Sequence, residues 1–209
     1  GEHCVSAEQI LLATGRRPDI DKLDLEKAGI KLSERGGFDV NDYLQTNQKH
    51  IYAVGDVNGK VPLVYVASQE GRIAGSNAFS KKQQKMDYNN IANIIFSHPE
   101  IGTVGLTEQE AKDQGYKIIV AKTPMGDIGK AVALGETGGF VKMIAEKPSG
   151  KILGLHILGA HATDIMQVAL PHIYHGDTVF DVMKIPYPHP TLGEALAYPA
   201  EDIANTLSK

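Results

Sequence analysis

Two apolar runs, 139–146 and 151–158, flank Lys147-Pro148-Ser149-Gly150, and this pairing constrains the fold more than any other feature of the chain. A Pro-Ser-Gly turn between two strand-length runs reads as a β-hairpin, which commits the sheet around it to antiparallel pairing. Further strand-like runs at 93–97, 101–106 and 116–121 supply neighbours for it. Helices are expected over 107–114, opened by the capping box Thr107-Glu108-Gln109-Glu110, and over 162–175. A terminal helical stretch begins after Thr191, where Pro199 should break or restart it. This part of the chain therefore reads as α+β, an antiparallel sheet with flanking helices.

The first part reads differently. Ile10 to Ala13 form a short apolar run of the kind found in buried strands, and Gly15 permits a tight exit into the polar turn Arg16-Arg17-Pro18-Asp19. A short helix is expected from Leu23 to Gly29, with Gly29 as its C-cap. Ile51-Tyr52-Ala53-Val54-Gly55-Asp56 reads as an apolar strand ending in Gly-Asp. After it, Leu63, Val66, Ala67, Glu70, Ile73, Ala74 and Ala78 recur at helical spacing over 63–79. The polar stretch Ser80 to Asp87 lacks apolar periodicity, so the expected domains are 1–84 and 85–209.

A formal net charge of -4 argues against nucleic acid or an anionic membrane as the main partner. No apolar run approaches the ~20 residues that span a bilayer. The opening Gly1-Glu2-His3-Cys4 has neither a basic region nor an apolar core, and the expected compartment is cytoplasmic. The single cysteine, Cys4, can form neither an internal disulfide nor a cysteine-based zinc site. His172 and His175 lie one helical turn apart, but no carboxylate signature reinforces them, and no metal site is expected.

Two places carry candidate chemistry. Asp56, directly after an apolar run with Gly55 allowing close backbone approach, suits the hydroxyls of a ribose or ribityl chain, but on residue types alone a loop-capping role is the commoner explanation. Gly15 is weaker, because a positive-φ turn alone explains a glycine at a strand exit. No Gly-x-Gly-x-x-Gly fingerprint occurs. Near the C-terminus, His189 and Glu194 stand five residues apart in His189-Pro190-Thr191-Leu192-Gly193-Glu194. Such a carboxylate can orient an imidazole, fix its tautomer and raise its basicity for proton transfer. Thr191 and Glu194 also make a capping box, so Glu194 has a purely local reading as well. Pro188 and Pro190 restrict the backbone on both sides of His189.

Taken together, four ordered segments resemble the C-terminal part of the pyridine nucleotide–disulfide oxidoreductases. Ala13-Thr14-Gly15-Arg16-Arg17-Pro18 resembles the family's exit from its NAD(P)H domain, and Ile51 to Val57 its second FAD motif. Ser97-His98-Pro99-Glu100-Ile101-Gly102-Thr103-Val104-Gly105-Leu106-Thr107-Glu108 resembles the opening of its dimerisation domain. His189-Pro190-Thr191-Leu192-Gly193-Glu194 resembles its active-site His-Pro-Thr-x-x-Glu.

The resemblance implies that Asp56 binds the ribityl part of FAD, with Leu63 and Val64 near the flavin edge and Gly15 where backbone passes close to cofactor. It implies that His189, held by Glu194, is the acid/base for a dithiol and reaches a disulfide of the partner subunit in a homodimer. Thr191-Leu192-Gly193-Glu194-Ala195 is closest to the dihydrolipoamide dehydrogenase form, with Gly193 where Ser is usual. That form uses FAD and NAD and takes dihydrolipoamide on a lipoyl domain. The stretch from Ser97 leans partly towards glutathione reductases, the alternative, and the histidine speaks against mercuric-reductase-like members, which carry a tyrosine there. The family's FAD fingerprint and Cys-x4-Cys disulfide are absent from these 209 residues. The 1–84 region accordingly reads as a partial FAD-binding α/β segment. The chain by itself is expected to be a catalytically silent, FAD-free part of such an enzyme, in its simplest form a dimerisation module.

Overall fold

The computed structural model describes residues 3–34 and 36–209. It divides into two compact units, Gly1–Asp87 and Tyr88–Lys209.

In the second unit five strands form one antiparallel sheet in the order β1-β2-β5-β4-β3. They are β1 (Asn93–Ile95), β2 (Glu100–Gly105), β3 (Ile118–Pro124), β4 (Phe140–Glu146) and β5 (Ile152–Gly159). The central hairpin is β4–β5, registered through Phe140 opposite Leu158 and Met143 opposite Leu155. Alternation puts Val104, Val141, Met143, Leu155 and Ile157 on one face, all nearly or fully buried. Against that face pack α4 (Ala162–His175) through Ile165, Met166, Ala169 and Ile173, and α6 (Ala197–Leu207) through Ala200, Ile203 and Ala204. A smaller cluster on Ala111, Ile144 and Leu153 seats α2 (Glu108–Asp113), whose capping box between Thr107 and Glu110 forms as expected.

Two short helices were not legible beforehand, α3 (Gly129–Leu134) and α5 (Val179–Met183). At six and five residues they are too short for a convincing apolar period. Pro199 does not break the terminal helix. It falls in the first turn of α6, where a missing N–H costs no hydrogen bond, so the helix runs from Ala197 through it.

In the first unit the regular element is α1 (Val64–Phe79), with Val66, Glu70, Ile73, Ala74 and Asn77 buried. Asn77 rather than Ala78 ends the buried face, its amide donating to the carbonyls of Tyr43 and Gln84. The strand expected over Ile10–Ala13 does not form. Ile10, Leu11 and Leu12 are more than 80% exposed, because among the described residues of this unit no strand lies alongside to pair with them. Ile51–Asp56 likewise makes only one bridge, Tyr52 to Gln45. The segment 23–29 is a series of i to i+3 turns closed at Gly29, not an α-helix. Small clusters around Ile20, Phe38, Val40 and Ala53, and around Leu44, Ile73 and Ala74, hold this unit together.

Candidate functional site

His189 sits on the loop between α5 and a 3-10 turn, Gly193–Leu196, that leads directly into α6. Its Nδ1 lies 2.9 Å from Oε2 of Glu194. The carboxylate is buried at 9% side-chain exposure while the imidazole is 69% exposed, so the pair presents a ring to solvent from an anchored base. Glu194 has a second task. Its Oε1 accepts from the Thr191 N–H at 3.0 Å, and the Glu194 N–H donates to Thr191 Oγ1 at 3.3 Å. The reciprocal bonds of the capping reading and the contact between Glu194 and His189 therefore both form, one carboxylate oxygen serving each.

An ionised carboxylate can only accept, so the geometry assigns the proton to Nδ1 and leaves Nε2 as the acceptor on the exposed ring. Thr191 Oγ1 donates to the Pro188 carbonyl at 2.8 Å, which closes the loop over Pro188–Thr191. Beside it, residues 190–193 wall a groove of about 510 Å³ against Leu134, Ile165 and Val168.

In the first unit, the sequence candidates converge on the start of α1. Asp56 lies in the 3-10 turn Gly55–Asn58, and its carboxylate meets Arg16 Nη1 at 3.2 Å. Its backbone carbonyl accepts from the Gly59 N–H at 3.1 Å, which closes the turn. Gly55 has φ +75, and a Cβ there would come within 3.1 Å of Ala67 Cβ, which explains glycine before the acid. Glu70, buried on α1, accepts from the Gly55 N–H at 2.5 Å and from the Asn58 amide at 3.0 Å. The acid-bearing turn is thereby bolted to the helix. Gly15, at φ +123 with open space around it, needs glycine for its backbone angle alone. Val64 is 87% exposed at the first position of α1, and Leu63 before it is half-buried.

An exposed carboxylate on a rigid turn, beside exposed apolar side chains at a helix start without a side-chain cap, fits a polyhydroxyl chain joined to a flat apolar ring. FAD is a group of that kind.

Glu70 and Arg16 were missed as site residues. For Glu70 a signal existed, a carboxylate at a position whose spacing places it on the buried face of 63–79. For Arg16 nothing local points to Asp56, forty residues away. His172 is buried and bonded on both ring nitrogens, to Asp177 Oδ2 at 2.8 Å and Tyr187 Oη at 3.3 Å. Among the described residues no group of three or more His, Cys, Asp or Glu could hold a metal ion, and no helix is long and apolar enough to cross a membrane. Cys4 is free and exposed.

Residues 91–200 match the pyridine nucleotide-disulphide oxidoreductase dimerisation domain, and residues 1–71 match pyridine nucleotide-disulphide oxidoreductase. The chain belongs to the pyridine nucleotide–disulfide oxidoreductase family, flavoproteins that use FAD and a nicotinamide nucleotide. Among its relatives, dihydrolipoyl dehydrogenase of Bacillus subtilis (strain 168) is 40% identical over 96% of this chain and 42% of its own length. Mercuric reductase of Staphylococcus aureus is 36% identical over 100% of this chain and 38% of its own. The chain thus spans about two-fifths of the curated relatives it matches. Among solved structures, the Cu(II) complex of the HOCl-induced flavoprotein disulfide reductase RclA from Escherichia coli superposes with TM-score 0.89 at 27% identity, over 96% of this chain and 46% of that one.

Proposed function

We propose that this chain supplies the proton-transfer part of a dihydrolipoyl dehydrogenase, which oxidises dihydrolipoamide carried on a lipoyl domain and reduces NAD. The observation that carries this reading is the His189–Glu194 pair, a solvent-facing imidazole oriented by a buried carboxylate. Glu194 fixes the ring with Nδ1 protonated, and Nε2 takes the proton from one dithiol sulfur. The resulting thiolate attacks one sulfur of a disulfide supplied by the partner subunit of a homodimer, forming a mixed disulfide as the original S–S bond breaks and the other sulfur leaves as a thiolate. Asp56 accepts hydrogen bonds from the ribityl hydroxyls, while Gly55 keeps the turn close to α1 and Leu63 and Val64 border the ring. FAD, when bound, carries the electron pair between the disulfide and the nicotinamide.

The test is His189→Gln in the protein at full family length, assayed for dihydrolipoamide oxidation. Turnover is expected to fall about 10²- to 10⁴-fold, the usual worth of a positioned acid/base. Near-normal turnover would sink the role. Similarity to mercuric reductase across the whole chain favours mercuric ion as the competing substrate. Preference for mercuric ion over dihydrolipoamide in the same assay would decide for it.

A further inference from the structure

Behind the exposed dyad lies a second histidine–carboxylate pair that the mechanism above does not use. His172, at 6% side-chain exposure, is on the last turn of α4. The helix ends at Gly176 in the left-handed conformation, and the Asp177 N–H returns to the His172 carbonyl at 2.9 Å. That reversal brings the Asp177 carboxylate to 2.8 Å from His172 Nδ1. Asp177 is also tied to the sheet, since its carbonyl accepts from Ile152 N–H of β5 at 2.9 Å. The carboxylate assigns the proton to Nδ1, so Nε2 accepts from the Tyr187 hydroxyl at 3.3 Å. Burial, with the Asp177 charge nearby, pushes the Tyr187 phenol above its ordinary value, which keeps that hydroxyl protonated as a donor.

Tyr187 stands two residues before His189, with only Pro188 between them. Its ring packs against the main core cluster. Pro188 and Pro190 fix φ on either side of His189, so little backbone freedom separates the anchored phenol from the imidazole. On the other side the loop is held by Thr191 and Glu194. Glu194 alone fixes one edge of the ring, whereas the approach of the backbone is set from the Tyr187 side.

We propose that Asp177, His172 and Tyr187 form a positioning brace that runs from β5 to the His189 loop and holds the imidazole in register with Glu194. The part concerning turnover rests on the reading of His189 as acid/base. None of the three touches substrate; they act through His189.

Tyr187→Phe removes the hydroxyl and keeps the packed ring, and His172→Asn breaks the same brace from its other end. Two measurements test it. Long-range ¹H–¹⁵N spectra of the 209-residue chain read the His189 ring nitrogens directly. Both variants are expected to move those shifts from a single Nδ1-protonated tautomer towards averaged values. Unchanged His189 nitrogens in both variants overturn the brace, whatever happens to turnover. At full family length, Tyr187→Phe should lower kcat for dithiol oxidation about tenfold with KM little changed, the loss expected of a misplaced group. It should add nothing when His189→Gln is already present. A further tenfold loss in that background would mean that Tyr187 acts elsewhere and would also overturn the proposal. Normal turnover of His189→Gln alone refutes the acid/base role, and the ring spectra then still decide the brace.

Discussion

Replacing Glu194 with Gln tests the site with the least disturbance of the fold. The amide is isosteric and keeps a carbonyl oxygen for the Thr191 N–H, so the cap loses little. Against His189, however, the substitution puts a donor or a neutral acceptor where a carboxylate stood at 2.9 Å. If the NH₂ faces the ring, Nδ1 must become the acceptor, and the proton moves to Nε2, the atom required to take one. If the carbonyl faces the ring, the Thr191 N–H loses its partner instead. Either way the ring lacks its carboxylate partner when it takes up a proton and becomes imidazolium, the state in which that charged hydrogen bond is worth about 1.5–3 kcal/mol. At roughly 1.4 kcal/mol per tenfold, turnover should fall about 10- to 150-fold. The assay is steady-state dithiol oxidation at full family length, with the melting midpoint as control. Unfolding free energy should change by less than about 1 kcal/mol, the scale of a lost cap. Turnover within twofold of the parent in a normally folded variant refutes the dyad. A matched loss of stability and turnover would mean that Glu194 works only as a cap.

The sheet also carries a pH prediction. Burial, partly offset by the Leu106 carbonyl and joined by the Lys142 charge, holds the His156 imidazole below its ordinary value. The neutral ring is thus favoured by folding: its full contribution is present above the unfolded value near 6.5 and is lost as pH falls towards the folded value. Calorimetry at pH 7.5 and 5.5 should show a lower midpoint at the acid pH, and His156→Gln should flatten that slope; an unchanged slope refutes the assignment. Leu155→Ala empties a fully buried place at the centre of β5 and should cost about 2–5 kcal/mol in urea unfolding of the Tyr88–Lys209 unit. A loss below 1 kcal/mol would mean the core collapses around it. The 209-residue chain should sediment as a dimer without flavin absorbance; a monomer at micromolar concentration, or stoichiometric FAD, contradicts the reading of an isolated dimerising part.

How much of this was legible beforehand depends on the range of the interactions. Strand-length apolar runs around a turn signal placed β4, β5 and their hairpin, and apolar residues at helical spacing placed α1, because those patterns are set by residues a few positions apart. The reciprocal bonds of Thr107 with Glu110 and of Thr191 with Glu194 were readable for the same reason. The apolar run Ile10–Ala13 misled, since a strand is completed by a neighbour and not by its own composition. The His189–Glu194 pair was visible as two competing readings, and local spacing could not choose between them.

Tertiary structure decided that both contacts form, by burying Glu194 so that its two oxygens meet different partners. It also decided that Glu70 clamps Gly55, that Arg16 meets Asp56 across forty residues, and that His172 faces Asp177 and Tyr187 rather than solvent. The sequence by itself determined the local elements and the chemical types on offer, because hydrogen bonds within a turn or hairpin need no distant partner. Which of those groups are desolvated, paired and aimed was settled only when the chain packed, because burial and orientation belong to the whole arrangement and to no single segment.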